Sequence, residues 1–281
     1  MGPSRRLKGW GEGHSLKNIG ITIMENTLLI DNLKINYKIA GQGPAILILH
    51  GWSGSSDSWI SVQEILAKAG FKVICPDLPG CGKSPPPTEP WGMDEYINLI
   101  SNFTKQVSLE QFSLIGHSFG GGLAVKFAAF FPEKIKKLIL LDAAVVRTER
   151  LSLRQKFARF LAKMSYAFTR IPFFEKTIFS MIRPLVYKIA GVRDYYQSKG
   201  VMRETFKKIF KEDLSQYLPK VKTPTLIVWG KRDSTLPVED GFLMQKEIFN
   251  SQIEIIEEAD HSPHRKTPEK LAEIILHFLR P

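Results

Sequence analysis

Cysteine, long apolar runs and acidic charge are scarce in this sequence. Cys75 and Cys81 are the only two cysteines in 281 residues, too few for a disulfide framework or a structural zinc site. They read as reduced thiols of a cytosolic protein. No stretch of about 18 uncharged apolar residues occurs, so no spanning helix is expected. Residues 1–20 are basic and glycine-rich without the apolar run of a secretory signal. Arg6 stands where a myristoylation motif has Ser or Thr. Residues 1–22 therefore read as a mobile N-terminal tail. Neither an internal repeat nor a low-complexity tract is present. The balance of 43% hydrophobic and 24% charged residues excludes a disordered or fibrous chain.

What acidic charge there is cannot offset the basic residues, and the formal net charge is +11. Arg147 to Lys222 holds 18 basic and 6 acidic residues, a net of +12, so one segment carries the whole excess. Half of that reading is plain solvation of helix faces. The sharper half is a cationic, Phe-, Ile- and Met-rich surface meeting an anionic membrane or an acidic acyl carrier. Nucleic acid is excluded as a partner, since no nucleic-acid module is visible.

The body alternates short apolar runs with longer amphipathic ones, which predicts an α/β fold: a mostly parallel sheet flanked by helices. Two strands joined by a tight turn are expected over 27–40. Further strands are expected at 45–51, 71–77, 112–118, 135–142, 224–230 and 252–259, nearly continuous in Val, Ile and Leu as strands buried on both faces are. Helices are expected near 58–69, 94–108, 120–131, 238–249 and 268–279, the last opened by Thr267 as N-cap and Pro268 at N1. The alternation breaks between Asp142 and Pro224, where three amphipathic stretches punctuated by Pro172, Pro184 and Gly191 predict an inserted helical cap. The expected organisation is a core of 23–144 and 221–281 with a cap of 145–220.

Gly116-His117-Ser118-Phe119-Gly120 lies between an apolar strand and a helix rich in Gly and Ala. A serine on so sharp a strand-to-helix turn has its hydroxyl exposed, and the residues two before and two after must be tiny. A hydroxyl needs a base, and the base an orienting acid. Asp233 and His261 follow two later strands, in the chain order Ser, Asp, His, and strand carboxyl ends collect functional groups in a parallel sheet. The His50-Gly51-Trp52 loop, also at a strand end, offers a backbone N–H to a developing oxyanion, and Phe119 offers a second.

These features resemble the α/β-hydrolase superfamily over about 27–281, with the cap matching only in position and helical character. The matching residues are His50-Gly51, the run from Asp77 to Ser84, the turn around Ser118, Asp233 and His261. The resemblance implies Ser118 as nucleophile, His261 as general base and acid, Asp233 as its orienter, and the main-chain N–H groups of Trp52 and Phe119 as oxyanion donors. It implies a hydrolase of carboxylic esters or acyl thioesters with a hydrophobic acyl or alkyl group, a small-molecule substrate, and no metal or organic cofactor. Asp260 departs from the glycine common before the histidine and puts a second carboxylate there.

Other residues compete for these roles. Asp142, also at a strand end, competes with Asp233 as the acid, with a turn residue as its plain reading. His264 competes with His261, its plain reading a surface or groove histidine. His50 and His117 read as supports of their turns, with substrate contact the minority role. Gly80-Cys81-Gly82-Lys83-Ser84 mimics a phosphate loop, but Asp77 occupies the required first glycine and Pro85-Pro86-Pro87 blocks the following helix. The same triad also serves C–C bond hydrolases and perhydrolases, and some proteins of this fold are weakly catalytic ligand receptors. The expected location is cytoplasmic, or peripheral at a membrane surface.

Overall fold

The computed structural model describes residues 21–146 and 198–280. All but the last two residues of the expected N-terminal tail, and 147–197 of the expected cap, lie outside the described residues.

Eight strands form one sheet: β1 (Met24–Ile30), β2 (Leu33–Ala40), β3 (Ala45–Leu49), β4 (Lys72–Pro76), β5 (Phe112–His117), β6 (Ile135–Leu141), β7 (Thr225–Gly230) and β8 (Ser251–Ile256). Their spatial order is β1-β2-β4-β3-β5-β6-β7-β8. Only β2 runs against its neighbours; every other pairing is parallel. The β1–β2 turn is Asp31-Asn32, both at positive φ (48° and 66°), the left-handed pair a two-residue hairpin requires and one that Asp and Asn tolerate.

The apolar runs split by strand periodicity. Ile46 and Ile48 of β3, Ile115 of β5, and Leu226 and Val228 of β7 face one way. Leu47, Leu49, Leu114, Ile227 and Trp229 face the other. The first face is covered by α1 (Ile60–Lys68) and α7 (Pro268–Leu279), through Leu66, Leu271 and Ile275. The second is covered by α2 (Met93–Gln106), α3 (Phe119–Phe130) and α5 (Val238–Glu247), through Phe103, Phe127 and Met244. Each such aliphatic side chain contributes about 1.5–3 kcal/mol on burial. Along β3, β4, β5 and β7 both faces are buried, which is why these strands show no polar alternation, whereas β8 at the edge exposes Gln252 and Glu254.

Two polar devices fix elements to this frame. Lys137 of β6 donates to the carbonyls of Phe278, Leu279 and Arg280 at 2.7, 3.2 and 3.1 Å, satisfying the C-terminal end of α7 with a cation where the helix dipole favours one. Thr267 precedes α7 as expected, but its hydroxyl donates to the Pro263 carbonyl at 3.3 Å instead of capping α7. The reason is a short helix, α6 (Pro263–Lys266), that ends immediately before it and supplies a nearer acceptor.

Of the expected cap, the described part holds α4 (Val201–Ile209), which buries Phe206 and Ile209 in the core on the α2–α3 side. Several of its polar groups are tied down. Thr205 Oγ1 accepts from Trp91 N–H at 3.0 Å, and Lys208 donates to the Pro90 carbonyl at 2.7 Å. Buried Lys126 on α3 pairs with Asp94 on α2 at 2.7 Å and with Glu212 just beyond α4.

Candidate active site

Ser118 occupies the turn between β5 and α3 with φ 51° and ψ −116°, a conformation a non-glycine residue adopts at a cost of order 1–3 kcal/mol. The surroundings hold it there. Its N–H donates to Leu141 at 3.0 Å, and its carbonyl accepts from Gly121, Gly122 and Ala144 at 2.9, 3.2 and 2.9 Å. The two flanking glycines are required by space: a Cβ on Gly116 would stand 2.4 Å from the Gly120 carbonyl oxygen, and one on Gly120 would stand 2.2 Å from that of Leu49.

Three of the predicted residues meet at the carboxyl edge of the sheet. Ser118 Oγ lies 3.1 Å from His261 Nε2, and His261 Nδ1 lies 2.6 Å from Asp233 Oδ2. The other oxygen of Asp233 accepts the N–H groups of Thr235 and Leu236 at 2.6 and 3.0 Å, so this carboxylate is oriented by its own turn. Nδ1 of His261 therefore carries the proton toward Asp233, and Nε2 presents a lone pair to the serine hydroxyl. The Asp233 side chain is 1% exposed and that of His261 22%. A carboxylate screened from water thus backs an imidazole that a small molecule can reach.

The loop after β3 lies against this group. A Cβ on Gly51 would be 3.3 Å from the Ser118 Cβ and 2.9 Å from His117 Nδ1. Neither Trp52 N–H nor Phe119 N–H is hydrogen-bonded to another of the described residues. The two rings meet edge to face, 5.4 Å between centroids. The Trp52 indole also donates to Ser198 Oγ at 3.2 Å. A cavity of about 200 Å³ opens beside Trp52, lined by Gly80, Cys81, Ser198, Lys199 and Met202 among others.

His50 and His117 are buried, and both hold main chain. His50 Nε2 accepts from Leu78 N–H at 2.9 Å while Nδ1 donates to the Gly51 carbonyl at 2.8 Å; burial lowers its pKa. His117 Nε2 donates to the His261 carbonyl at 2.7 Å, and burial takes its pKa well below the ordinary value. His264 is not the expected surface histidine. It is 4% exposed and stacked on Trp59 at 4.6 Å between centroids, with burial pushing its pKa down to about 3. The short helix α6 turns it inward, and it serves as packing.

Asp142 is not a plain turn residue. It is fully buried, with φ 41°, one oxygen accepting Gly230 N–H at 2.8 Å. Its carboxylate, that of Asp233 and a ring nitrogen of His261 lie within 4.8 Å of one another. Among the described residues these three are the one group of His, Cys, Asp and Glu placed closely enough to share an ion, and the Asp233–His261 hydrogen bond already joins two of them. Asp260 accepts Ser262 N–H at 2.9 Å. The Asp77 to Ser84 run is an internally bonded loop. Asp77 accepts from Ser56 and Lys83 N–H groups and from Asn36 Nδ2 at 2.6, 2.9 and 2.9 Å. A Cβ on Gly82 would sit 2.4 Å from that carboxyl group. Cys75 and Cys81 are separate buried thiols.

Monoacylglycerol lipase ABHD6 of Homo sapiens is 30% identical over 262 residues, covering 85% of this chain and 76% of the relative. Among solved structures, a bacterial membrane phospholipase A described as a virulence factor superposes with TM-score 0.72 at 26% identity, covering 92% of this chain and 86% of the other. An esterase of Exiguobacterium antarcticum superposes with TM-score 0.71 at 26% identity over 91% and 99% of the two chains. The model of the alpha/beta hydrolase fold family matches residues 44–266, and the chain belongs to that family.

Proposed function

We propose that this protein is a serine hydrolase of carboxylic esters with a hydrophobic acyl chain, lipid esters in particular. The observation that carries the reading is the continuous hydrogen-bonded line from Ser118 through His261 to Asp233, set on a serine with strained backbone. The similarity to a monoacylglycerol lipase, a phospholipase A and an esterase supports the substrate class.

In this reading His261 Nε2 takes the Ser118 proton as Oγ attacks the acyl carbonyl. The carbonyl oxygen becomes an oxyanion held by the N–H groups of Trp52 and Phe119, a contribution of roughly 3–4 kcal/mol per donor. The imidazolium, steadied by Asp233, returns the proton to the leaving alcohol as the C–O bond breaks. Water, deprotonated by the same nitrogen, then opens the acyl-enzyme and regenerates Ser118. The cavity beside Trp52 has Met202 and Cys81 in its wall together with Ser53, Ser198 and Lys199, and we assign it the part of the substrate that lies beyond Trp52.

The basic segment from Arg147 to Lys222 lies mostly outside the described residues. We assign it the role of meeting an anionic lipid surface, in keeping with an ester presented in a membrane. No helix among the described residues is long and apolar enough to cross one.

The test is turnover of p-nitrophenyl esters from acetyl to palmitoyl and of a monoacylglycerol, with and without vesicles containing an anionic lipid. Turnover that rises with chain length and with vesicles is the expected result. Absence of turnover on every ester would overturn the ester reading. Turnover confined to acetate, indifferent to vesicles, would overturn the lipid assignment.

A further inference from the structure

Asp142 is a buried carboxyl group that the ester mechanism does not use. It is the first residue past β6, the strand between β5, which leads to Ser118, and β7, which leads to Asp233. Both neighbours in space are bonded to its segment. The Leu141 carbonyl accepts the Ser118 N–H, and Ala144 N–H donates to the Ser118 carbonyl. On the other side the Asp142 N–H donates to Val228 at 3.0 Å, and its Oδ1 accepts Gly230 N–H at 2.8 Å. The residue thus spans the turn bearing the nucleophile and the turn bearing the acid.

Its second oxygen, Oδ2, is buried with no donor among the described residues, while the titratable groups facing it are Asp233 and His261. Two ionised carboxylates this close, in a dry setting, repel one another and leave a buried charge unpaired. A proton on Asp142 removes both costs. We propose that Asp142 is a positioning residue: a neutral carboxylic acid whose Oδ2 proton is donated to Asp233, holding that carboxylate in line with His261 Nδ1. Burial, with the Asp233 charge adding to it, raises the Asp142 pKa to about 8 against the opposing Gly230 hydrogen bond, in agreement with this arrangement. The pair then carries one negative charge at neutral pH. Ionisation of Asp142 at higher pH adds a second, breaks the hydrogen bond, and favours the protonated imidazole that cannot act as a base.

This inference rests on the reading of Ser118, His261 and Asp233 as the catalytic unit. The experiment is kcat and KM against pH on a soluble short-chain ester for wild type, Asp142→Asn, Asp142→Ala and Ser118→Ala. Wild type is expected to lose activity above about pH 8. Asp142→Asn, whose amide donates at every pH, is expected to lose that alkaline fall and to stay within a few-fold of wild type at neutrality. Asp142→Ala is expected to drop kcat about ten- to hundredfold with KM unchanged within about twofold. A wild-type profile flat through pH 9.5, an asparagine variant with the wild-type fall, or an alanine variant with wild-type kcat overturns the proposal. The wild-type profile needs no variant to fold. Turnover by Ser118→Ala at the wild-type rate overturns the underlying site reading instead, whatever Asp142 does.

Discussion

Gly120→Ala is the sharpest structural test of how the chain presents Ser118. The new methyl carbon would stand 2.2 Å from the Leu49 carbonyl oxygen and 2.6 Å from that of His50. Both are backbone atoms at the end of a central strand, so neither can rotate aside. Overpacking costs typically about 1–3 kcal/mol, and contacts this short with main chain place the variant at the top of that range. At about 2–4 °C per kcal/mol for a domain approaching this size, the melting temperature should fall by about 6–12 °C. Moving α3 off β3 also shifts Ser118 relative to the Gly51 loop, so turnover should fall further than the unfolded fraction accounts for. Gly70→Ala is the control. It has φ +91° and nothing within 4 Å of the added carbon, so it carries only the left-handed backbone cost of about 1–2 kcal/mol and should keep its activity. Scanning calorimetry with an esterase assay on both variants decides. A Gly120→Ala protein melting within 2 °C of wild type, with unchanged turnover, would refute the packing argument.

Three further predictions concern buried polar groups. His50→Leu strands the Leu78 N–H and frees the Gly51 carbonyl, costing about 1–3 kcal/mol; kcat should fall with little change in KM, and unchanged kcat would contradict a supporting role for His50. His264 is neutral when folded down to about pH 3, whereas the unfolded chain takes up a proton below about 6.5. Its contribution is therefore complete above 6.5 and lost as pH falls toward 3, by at most about 1.4 kcal/mol per pH unit. Urea midpoints of His264→Phe between pH 6 and 4 should fall less steeply than those of wild type, and equal slopes would count against the buried, neutral assignment. Asp77 has the ordinary carboxylate sign: its hydrogen bonds to Lys83, Ser56 and Asn36 outweigh burial and lower its pKa, so its stabilisation is present above about pH 4 and lost as pH falls below it. Asp77→Asn should remove that acid-range dependence and cost about 2–4 kcal/mol at neutral pH, read as a lower urea midpoint.

The sheet and its helices were legible because the central strands are near-continuous apolar runs and most of the helices amphipathic, while α3, buried nearly all round, is marked by its glycines and alanines. All eight strands and five helices lie within a few residues of where periodicity places them. The grouping of Ser118, Asp233 and His261 was legible too, since the strand-end positions and chain order constrain it. What escaped was orientation over short range. Nothing in the local sequence tells that His264 turns inward, because the short helix α6 that turns it is too brief to leave a periodic signal. Asp142 carried a usable signal, an acidic residue ending the run Leu138–Leu141 at the carboxyl edge. Its placement against Asp233 depends on β6 and β7 being neighbours, and strand order is not written in either segment. The burial of Lys126 on α3 leaves no mark in its own segment, since it follows from Asp94 and Glu212 converging on it from elements distant in sequence.

The central claim is that Ser118 is the nucleophile, and covalent capture tests it most directly. The protein is treated with a fluorophosphonate and its peptides are mapped by mass spectrometry, alongside Ser118→Ala and a parallel ester assay. The account requires one adduct, on Ser118, with loss of activity in step with labelling, no adduct on Ser118→Ala, and a fall in turnover of about 10³-fold or more in that variant. An adduct on another residue accompanying inactivation, or wild-type turnover by Ser118→Ala, would contradict it.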